Sequence, residues 1–598
     1  MAILPSRPSW THQFLNAVLC VVTFAIIFLY FRRYVAAFPI TIESIWQISL
    51  AEVNRRKNIR RIQQIELVGD EECGLKEGEK KSVVRKMASV VGYREEPVLF
   101  KKCLQSYRGS PGLEIMLVGI DGDQTEDMEM VRIAGEVFPE TMVKIHIEEP
   151  YGPLAVRLAQ NYIDRKLHDE KSTEYKSNTR INDANTLPKE LLQESYNYAC
   201  RIVFEKAVAT LQSHNVLSVP GSNLRAICLY QPHKCKKDIM FTNMVFCLAL
   251  GQANDIEYLW TSDSDTWVYP ETLHQVIGCM SADPLIGGSC SALSIHNGNE
   301  SVIAQLGAAA YWTELAITRG QTGAVDSVDC QPGPCAAFRL IALEPILLKW
   351  YTQTSIGIKT VVNEDRHLTT NLLLNGWKVT FNTSALASTD TPTTLLRWLL
   401  QQIRWARATH IETFQYPQVY SIHGPILFVT AMRRFYGPLI IGIFTIRYVL
   451  TGYTVHTYSL FDLVGRIILC TGYNYAVNGK NVNGILYLIC SQIFYQLPLP
   501  GIMFWSVLTV LEGGWGTRMR NQSEQRKERW AGLENLWSTS AVVLWMGFVA
   551  AAMARFVAWR LAEEFVVPLM LVSACATVGT LYYTLLRGER FIDPPSLA

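Results

Sequence analysis

Three hydrophobic patterns follow one another along the chain. Between residues 83 and 390, apolar residues come in short runs. Ile115-Met116-Leu117-Val118-Gly119-Ile120 ends in Asp121-Gly122-Asp123, and Tyr258-Leu259-Trp260-Thr261-Ser262 ends in Asp263-Ser264-Asp265. Runs of this kind predict buried parallel strands whose carboxyl ends deliver carboxylates. Ser89-Val90-Val91-Gly92-Tyr93 predicts a first strand, and residues 97–105 the helix after it. Residues 157–224 are polar and helix-biased, an insertion packed on the rim of the sheet. From 391 to 414 the pattern changes. Leu395, Leu396, Trp398, Leu399, Ile403 and Trp405 alternate with Gln401, Arg404 and Arg407, which predicts an amphipathic helix lying along a membrane face. Long apolar stretches at 14–31, 435–451, 460–477, 537–559 and 565–586 read as membrane spans. Residues 484–511 are broken by Pro498 and Pro500 and hold Gln492 and Gln496, so they read as an interfacial or re-entrant segment.

Composition fits a soluble domain fused to spans. The 598 residues exceed one ordinary domain. They are 49% hydrophobic and 18% charged, with a mean hydropathy of +0.11. A net charge of +2 gives no sign of a nucleic-acid partner. The 14 cysteines are scattered without zinc spacing and read as reduced thiols. Arg32, Arg33, Arg55, Arg56 and Lys57 follow the first apolar stretch, which places the N-terminus outside and the following domain in the cytosol. Five spans then leave the C-terminus cytosolic. The expected division is a span at 1–33, a cytosolic linker at 34–82, an α/β domain at 83–390, interfacial helices at 391–434, and a membrane region at 435–598 with a mobile loop at 512–520.

The carboxylates supply the chemistry. Asp263 and Asp265 at a strand end suit a Mg²⁺ or Mn²⁺ ion shared with a nucleotide diphosphate; Asp-Ser-Asp is also a common loop sequence. Asp121 suits a nucleobase N–H, Tyr93 a stacked base and Glu95 a ribose, although a strand-end Asp also caps helices. Of the pair Glu364-Asp365, Asp365 suits a general base that takes the proton of an acceptor hydroxyl. An acidic pair at a helix start also balances the helix dipole. In Gln401-Gln402-Ile403-Arg404-Trp405, Trp405 offers a face to a sugar ring, Arg404 a fork to phosphate, and Gln401 a hydrogen bond to the acceptor. Trp515-Gly516-Thr517-Arg518 follows Gly513-Gly514, a loop able to swing over a diphosphate.

Taken together, these motifs resemble the processive family 2 glycosyltransferases, and among them the hyaluronan synthases, in a branch of the kind found in fungi. Asn363-Glu364-Asp365-Arg366-His367-Leu368-Thr369, Thr389-Asp390-Thr391-Pro392, Leu396-Arg397-Trp398-Leu399, Gln401–Trp405, Lys102-Cys103-Leu104-Gln105-Ser106, Tyr311-Trp312, Gly333-Pro334 with Phe338-Arg339, and Trp515–Arg518 carry the resemblance across residues 85–590. It implies a GT-A (Rossmann-like) catalytic domain on interfacial helices above a transmembrane bundle in the plasma membrane. It also implies a UDP-sugar donor, a growing polysaccharide acceptor, and Mg²⁺ or Mn²⁺. By position, Tyr93, Glu95, Asp121 and Asp263 match donor-binding residues and Asp265 the metal ligand. Lys236 or Lys237 matches a basic donor-site position. Asp365 matches the base, and Gln401, Arg404 and Trp405 the acceptor and diphosphate motif. Trp312 and Glu364 belong to the acceptor side, and Trp515, Gly516, Thr517 and Arg518 to the gating loop. Arg94, the residues at Gly333–Arg339, the insertion length and a single N-terminal span depart from that pattern. Transfer of one sugar to a membrane lipid is the alternative activity.

Overall fold

The computed structural model describes residues 4–34, 40–73, 84–169, 187–218, 224–453, 460–479, 484–512, 532–559 and 561–590. The strands are β1 (Lys86–Gly92), β2 (Leu113–Ile120), β3 (Met142–His146), β4 (Arg225–Tyr230), β5 (Tyr258–Asp263), β6 (Trp267–Val268), β7 (Ile286–Ile295), β8 (Ala336–Arg339), β9 (Thr354–Ser355), β10 (Ile358–Lys359) and β11 (Lys378–Thr389). Nine form one mixed sheet in the order β3-β4-β2-β1-β5-β8-β7-β11-β6, and β9 pairs only with β10. Met87, Ala88 and Val90 in β1 and Ile115, Met116 and Leu117 in β2 have no exposed surface. Both faces of these strands are therefore covered, which is why their sequence is apolar throughout rather than alternating.

One consequence of topology positions the site. The strands β4, β2, β1 and β5 are adjacent and mutually parallel. Their carboxyl ends share one edge of the sheet, where open α/β sheets bind ligands. That edge carries Tyr93 just past β1, Asp121 past β2, His233 past β4, and Asp263 at the end of β5. The strand β8 runs antiparallel to β5, so the turn Gly333-Pro334-Cys335 that precedes it reaches the same edge.

The insertion is two helices, Tyr151–Asp169 and Lys189–Ser213. They pack on each other and on helix Lys236–Asn254, with Ala199, Val203, Ala207 and Leu211 fully buried. The stretch expected to be a linker is largely helix Ile40–Cys73. It is docked rather than free. Asn54 and Asn58 donate to the Phe381 carbonyl, and Arg61 forks onto Asp326 at 2.9 and 3.1 Å. The polar residues that read as solvated therefore have partners in the α/β domain.

Among the described residues, four helices are long and apolar enough to cross a membrane: Pro425–Thr451, Ile485–Leu508, Leu536–Val557 and Glu564–Leu586. The first stretch, expected at 14–31, lies in helix Trp10–Tyr34, which packs on Gln418–His423 and Pro425–Thr451. Three stretches differ from expectation, the first being this N-terminal one, whose apolar part Trp10–Ile26 falls short of the four in length. Residues 485–508 are long enough to span, because Pro498 and Pro500 sit at the start of a resumed helix, where proline is tolerated. The indole N–H of Trp545 donates to the Leu497 carbonyl at 2.8 Å, satisfying an acceptor at the break. Helix Leu460–Asn478 falls outside the four. It carries Arg466, buried on Glu314 at 2.7 Å, and Asp462, which accepts from the Thr41 amide at 2.9 Å.

Helix Leu395–Gln415 is amphipathic as expected, with Thr394 as its N-cap. Its apolar face is covered by protein. Leu396, Trp398, Leu399 and Ile403 are at most 4% exposed, packed in one cluster with Ile502, Met503, Val542 and Val543. The helix joins the α/β domain to the membrane helices.

Candidate active site

A cavity of about 2260 Å³ gathers the shared strand edge, helix Glu364–Leu374, helix Leu395–Gln415 and one face of Pro425–Thr451. Tyr93, Glu95, Asp121, Lys236, Asp263, Asp265, Glu364, Asp365, Gln401, Arg404 and Trp405 all line it. Residues up to 312 positions apart in sequence, from Tyr93 to Trp405, thus meet around one space.

At the end beside β1 and β2, Glu95 is buried and accepts from Ser264 Oγ at 3.1 Å. Asp121 is 2% exposed. Its Oδ1 accepts from the Lys234 amide at 3.2 Å and its Oδ2 bonds His233 Nδ1 at 2.9 Å. The His233 ring stacks on Tyr93 with centroids 4.0 Å apart. The sequence carried no signal for His233: it lies in a polar stretch with no motif, and only the pairing of β4 with β2 brings it to Asp121. Arg94 is not among the cavity residues and pairs with Asp127 and Glu126 at 2.8 Å each. Those pairs hold its backbone at a φ of 47°, a left-handed conformation that non-glycine residues adopt only when held.

At the centre, Lys236 Nζ lies 2.7 Å from Asp263 Oδ1 and 3.3 Å from Glu364 Oε1. Burial opposes the ammonium's charge, yet Asp263 and Glu364 hold its pKa above the ordinary lysine range. Burial pushes both carboxyls upward, against the pull of Lys236. Of the two lysines considered, Lys236 faces the cavity. Lys237 is fully buried, bonded to the Thr360 carbonyl at 3.2 Å and placed over the Trp350 ring, so it is not a donor-site residue. Burial pushes its pKa down to about 7.

Among the described residues, no three His, Cys, Asp or Glu side chains form a ready-made metal cage. The donor set nevertheless fits Mg²⁺ or Mn²⁺. Asp263 and Asp265 supply hard oxygens, and such ions commonly use one or two carboxylates plus substrate phosphates; Lys236 takes one Asp263 oxygen and leaves the other to an ion.

Asp365 lies at the start of helix Glu364–Leu374. Its Oδ1 accepts from the Arg366 amide at 2.7 Å, and its Oδ2 from Cys330 Sγ at 3.6 Å. Arg366 does not face the carboxylate pair; it binds Asp329 at 2.7 Å, and Arg434 binds the same Asp329 at 2.8 Å. Gln401 is half-buried, its Oε1 accepting from Gln402 at 3.4 Å. Trp405 meets the Tyr311 ring edge to face at 6.3 Å.

Trp312 requires a correction. It is 4% exposed and is not among the cavity residues, whereas Tyr311 is. Residues Tyr311–Ala316 form a π-helical turn, which changes the direction of every side chain after it relative to a regular helix. Arg339 likewise serves packing: it is buried on Glu257, the Tyr258 hydroxyl and two backbone carbonyls within 3.2 Å. Trp515, Gly516, Thr517 and Arg518 lie outside the described residues.

The profile of the family described as chitin synthase matches residues 228–546, just over half of the chain. The chain belongs to the chitin synthase family. Hyaluronan synthase 2 of Mus musculus is 25% identical over 435 residues, covering 72% of this chain and 69% of that protein. Hyaluronan synthase 3 of Mus musculus is 24% identical over 439 residues, with the same coverages. A solved structure, the mannosyltransferase PcManGT from Pyrobaculum calidifontis in complex with GDP-Man and Mn²⁺, is similar with a TM-score of 0.37 at 12% identity; the match covers 79% of this chain and all of that one. This chitin synthase family member is a glycosyltransferase similar to the hyaluronan synthases, and a membrane protein.

Proposed function

We propose that the chain is a membrane-embedded inverting transferase. It lengthens a polysaccharide from a UDP-sugar and passes the product along the cavity into the spanning helices. The observation that carries this reading is the continuity of the cavity: the carboxylates, Trp405 and the wall of Pro425–Thr451 border the same space. A transferase for a single lipid acceptor needs no such extension.

In this reading the nucleoside lies against Tyr93, Glu95 and Asp121. Asp263 and Asp265 would hold a Mg²⁺ or Mn²⁺ ion, whose charge offsets that of the diphosphate. Lys236 and Arg404 contribute further positive charge there, and Arg518 acts from the gating loop. The terminal sugar of the acceptor rests on Trp405, with Gln401, Glu364 and Tyr311 around it. Its hydroxyl oxygen attacks the anomeric carbon while its proton passes to Asp365. The bond from anomeric carbon to phosphate oxygen breaks, and UDP leaves with the electron pair. One base suffices because the diphosphate needs no protein acid. The catalytic domain and C-terminus face the cytosol of a plasma-membrane protein, with the N-terminus outside.

A panel of UDP-sugars with Mn²⁺ tests this on purified protein, read by UDP release and product length. Asp365→Asn is expected to reduce turnover at least about 100-fold while UDP still binds. Full turnover in that variant removes Asp365 from the base role. Products carrying a single sugar remove the polymerase reading.

A further inference from the structure

The residues that the proposed function assigns to the nucleoside are already in use. Tyr93 is stacked by the His233 ring, with 13° between the planes, and Asp121 is bonded by His233 Nδ1 through both its carboxylate and its own carbonyl. An aromatic ring on Tyr93 together with an N–H on Asp121 is the pair of contacts a pyrimidine base would make in this slot. One imidazole supplies both. We propose that His233 occupies the nucleobase subsite of the empty enzyme, so that the base of the donor binds by displacing it. This rests on the UDP-sugar reading of the same site.

The chemistry favours displacement over a shared slot. His233 is 44% exposed and hinged on a loop between β4 and helix Lys236–Asn254, so it can swing out without opening the core. The Lys234 amide holds the other Asp121 oxygen and stays behind to orient the carboxylate. The groups facing His233 are Asp121 from the end of β2, Tyr93 and Arg94 from the end of β1, Asp127 before helix Met128–Val137, and Lys234 beside it. Arg94 is committed to Asp127 and Glu126, which leaves Asp121 as the anion in contact. The hydrogen bond to Asp121 raises the imidazole pKa from its ordinary value. Protonated His233 therefore holds the slot more firmly than neutral His233, and binding of the base releases that proton. Affinity for UDP rises with pH between the ordinary imidazole pKa and the raised one, and is level on either side.

Isothermal titration of UDP with Mg²⁺ into the detergent-solubilised full chain tests this through the sign of one substitution. His233→Ala is expected to bind UDP about fivefold more tightly than wild type near pH 6, with the gap narrowing toward pH 8 to what the neutral ring still costs. Because both proteins see the same UDP, the titration of its phosphate cancels in the comparison. His233→Phe keeps a ring for Tyr93 but no N–H, so it should compete without the pH-dependent difference. Weaker binding by His233→Ala would make His233 a platform for the base and overturn the inference, as would equal binding across the pH range. If wild type binds no UDP, the failure belongs to the UDP-sugar reading itself.

Discussion

Glu412 shows how a residue that touches no substrate decides the geometry of the site. Its carboxylate is 6% exposed and takes hydrogen bonds from Gln353 at 2.7 Å, Asn363 at 2.5 Å and His367 at 3.1 Å. Asn363 is the cap of the helix that begins with Glu364 and Asp365, and Glu412 belongs to the helix that bears Gln401, Arg404 and Trp405. One buried anion therefore fixes the helix that carries Asp365 to the helix that carries Trp405. Burial works against the charge, but His367, Gln353 and Thr370 hold the Glu412 carboxyl below the usual range. Glu412→Ala would strand three buried donors and should cost about 3 kcal/mol or more, seen as a lower melting temperature of the solubilised protein. Turnover should fall with UDP affinity kept, since Tyr93 and Asp121 stand on other strands. An unchanged melting temperature would mean the network adds no net stability.

At the scale of elements, some features were legible and others depended on partners distant in sequence. The strand-end carboxylates could be read because each closes a short, continuous apolar run bounded by turn residues, which marks a strand buried on both faces. The helix bearing Trp405 could be read from its 3.6-residue pattern, although not that protein would cover its apolar face. The choice of Tyr311 over Trp312 was not legible, since nothing local announces a π turn. The turn's cause is tertiary. Thr313 Oγ1 bonds Ser491 Oγ at 3.3 Å, while Glu314 bonds Arg466 at 2.7 Å and Gln496 at 2.8 Å. Three groups from two membrane-region helices thus hold the turn. The partner of Arg466 lies 152 positions away, so nothing local in the sequence shows that the charge is paired. Glu314→Met alone leaves Arg466 buried and unpaired, at a cost of about 3 kcal/mol, whereas Glu314→Met with Arg466→Met should recover to within about 1 kcal/mol of wild type. A double-mutant cycle on melting temperature measures this coupling, and simple additivity would show that the pair does not hold the turn.

At the scale of the whole molecule, the proposed function asks one chain to transfer a sugar and make room for what it has made. Asp329 ties the two regions together: it bridges Arg366 on the helix that carries Asp365 and Arg434 on Pro425–Thr451. Burial opposes its charge, but Arg434 and Arg366 keep its carboxyl well below the usual range. Past that bridge the cavity runs along Arg433, Tyr436, Gly437, Ile440, Ile441 and Phe444. Gly437 is the telling position. A Cβ built on it would meet no atom within 4 Å, so Gly437→Trp can start into the cavity from an open position on the helix. If the product leaves by this route, the indole should obstruct it some distance from the reacting atoms. Products on a sizing gel should then shorten at least about tenfold, while UDP affinity and the first transfers change by less than about twofold. Obstruction should grow with side-chain volume, so Gly437→Ala should leave product length close to wild type. Long polymer from Gly437→Trp would show that the chain exits elsewhere, and the cavity beyond Asp329 would then need another purpose.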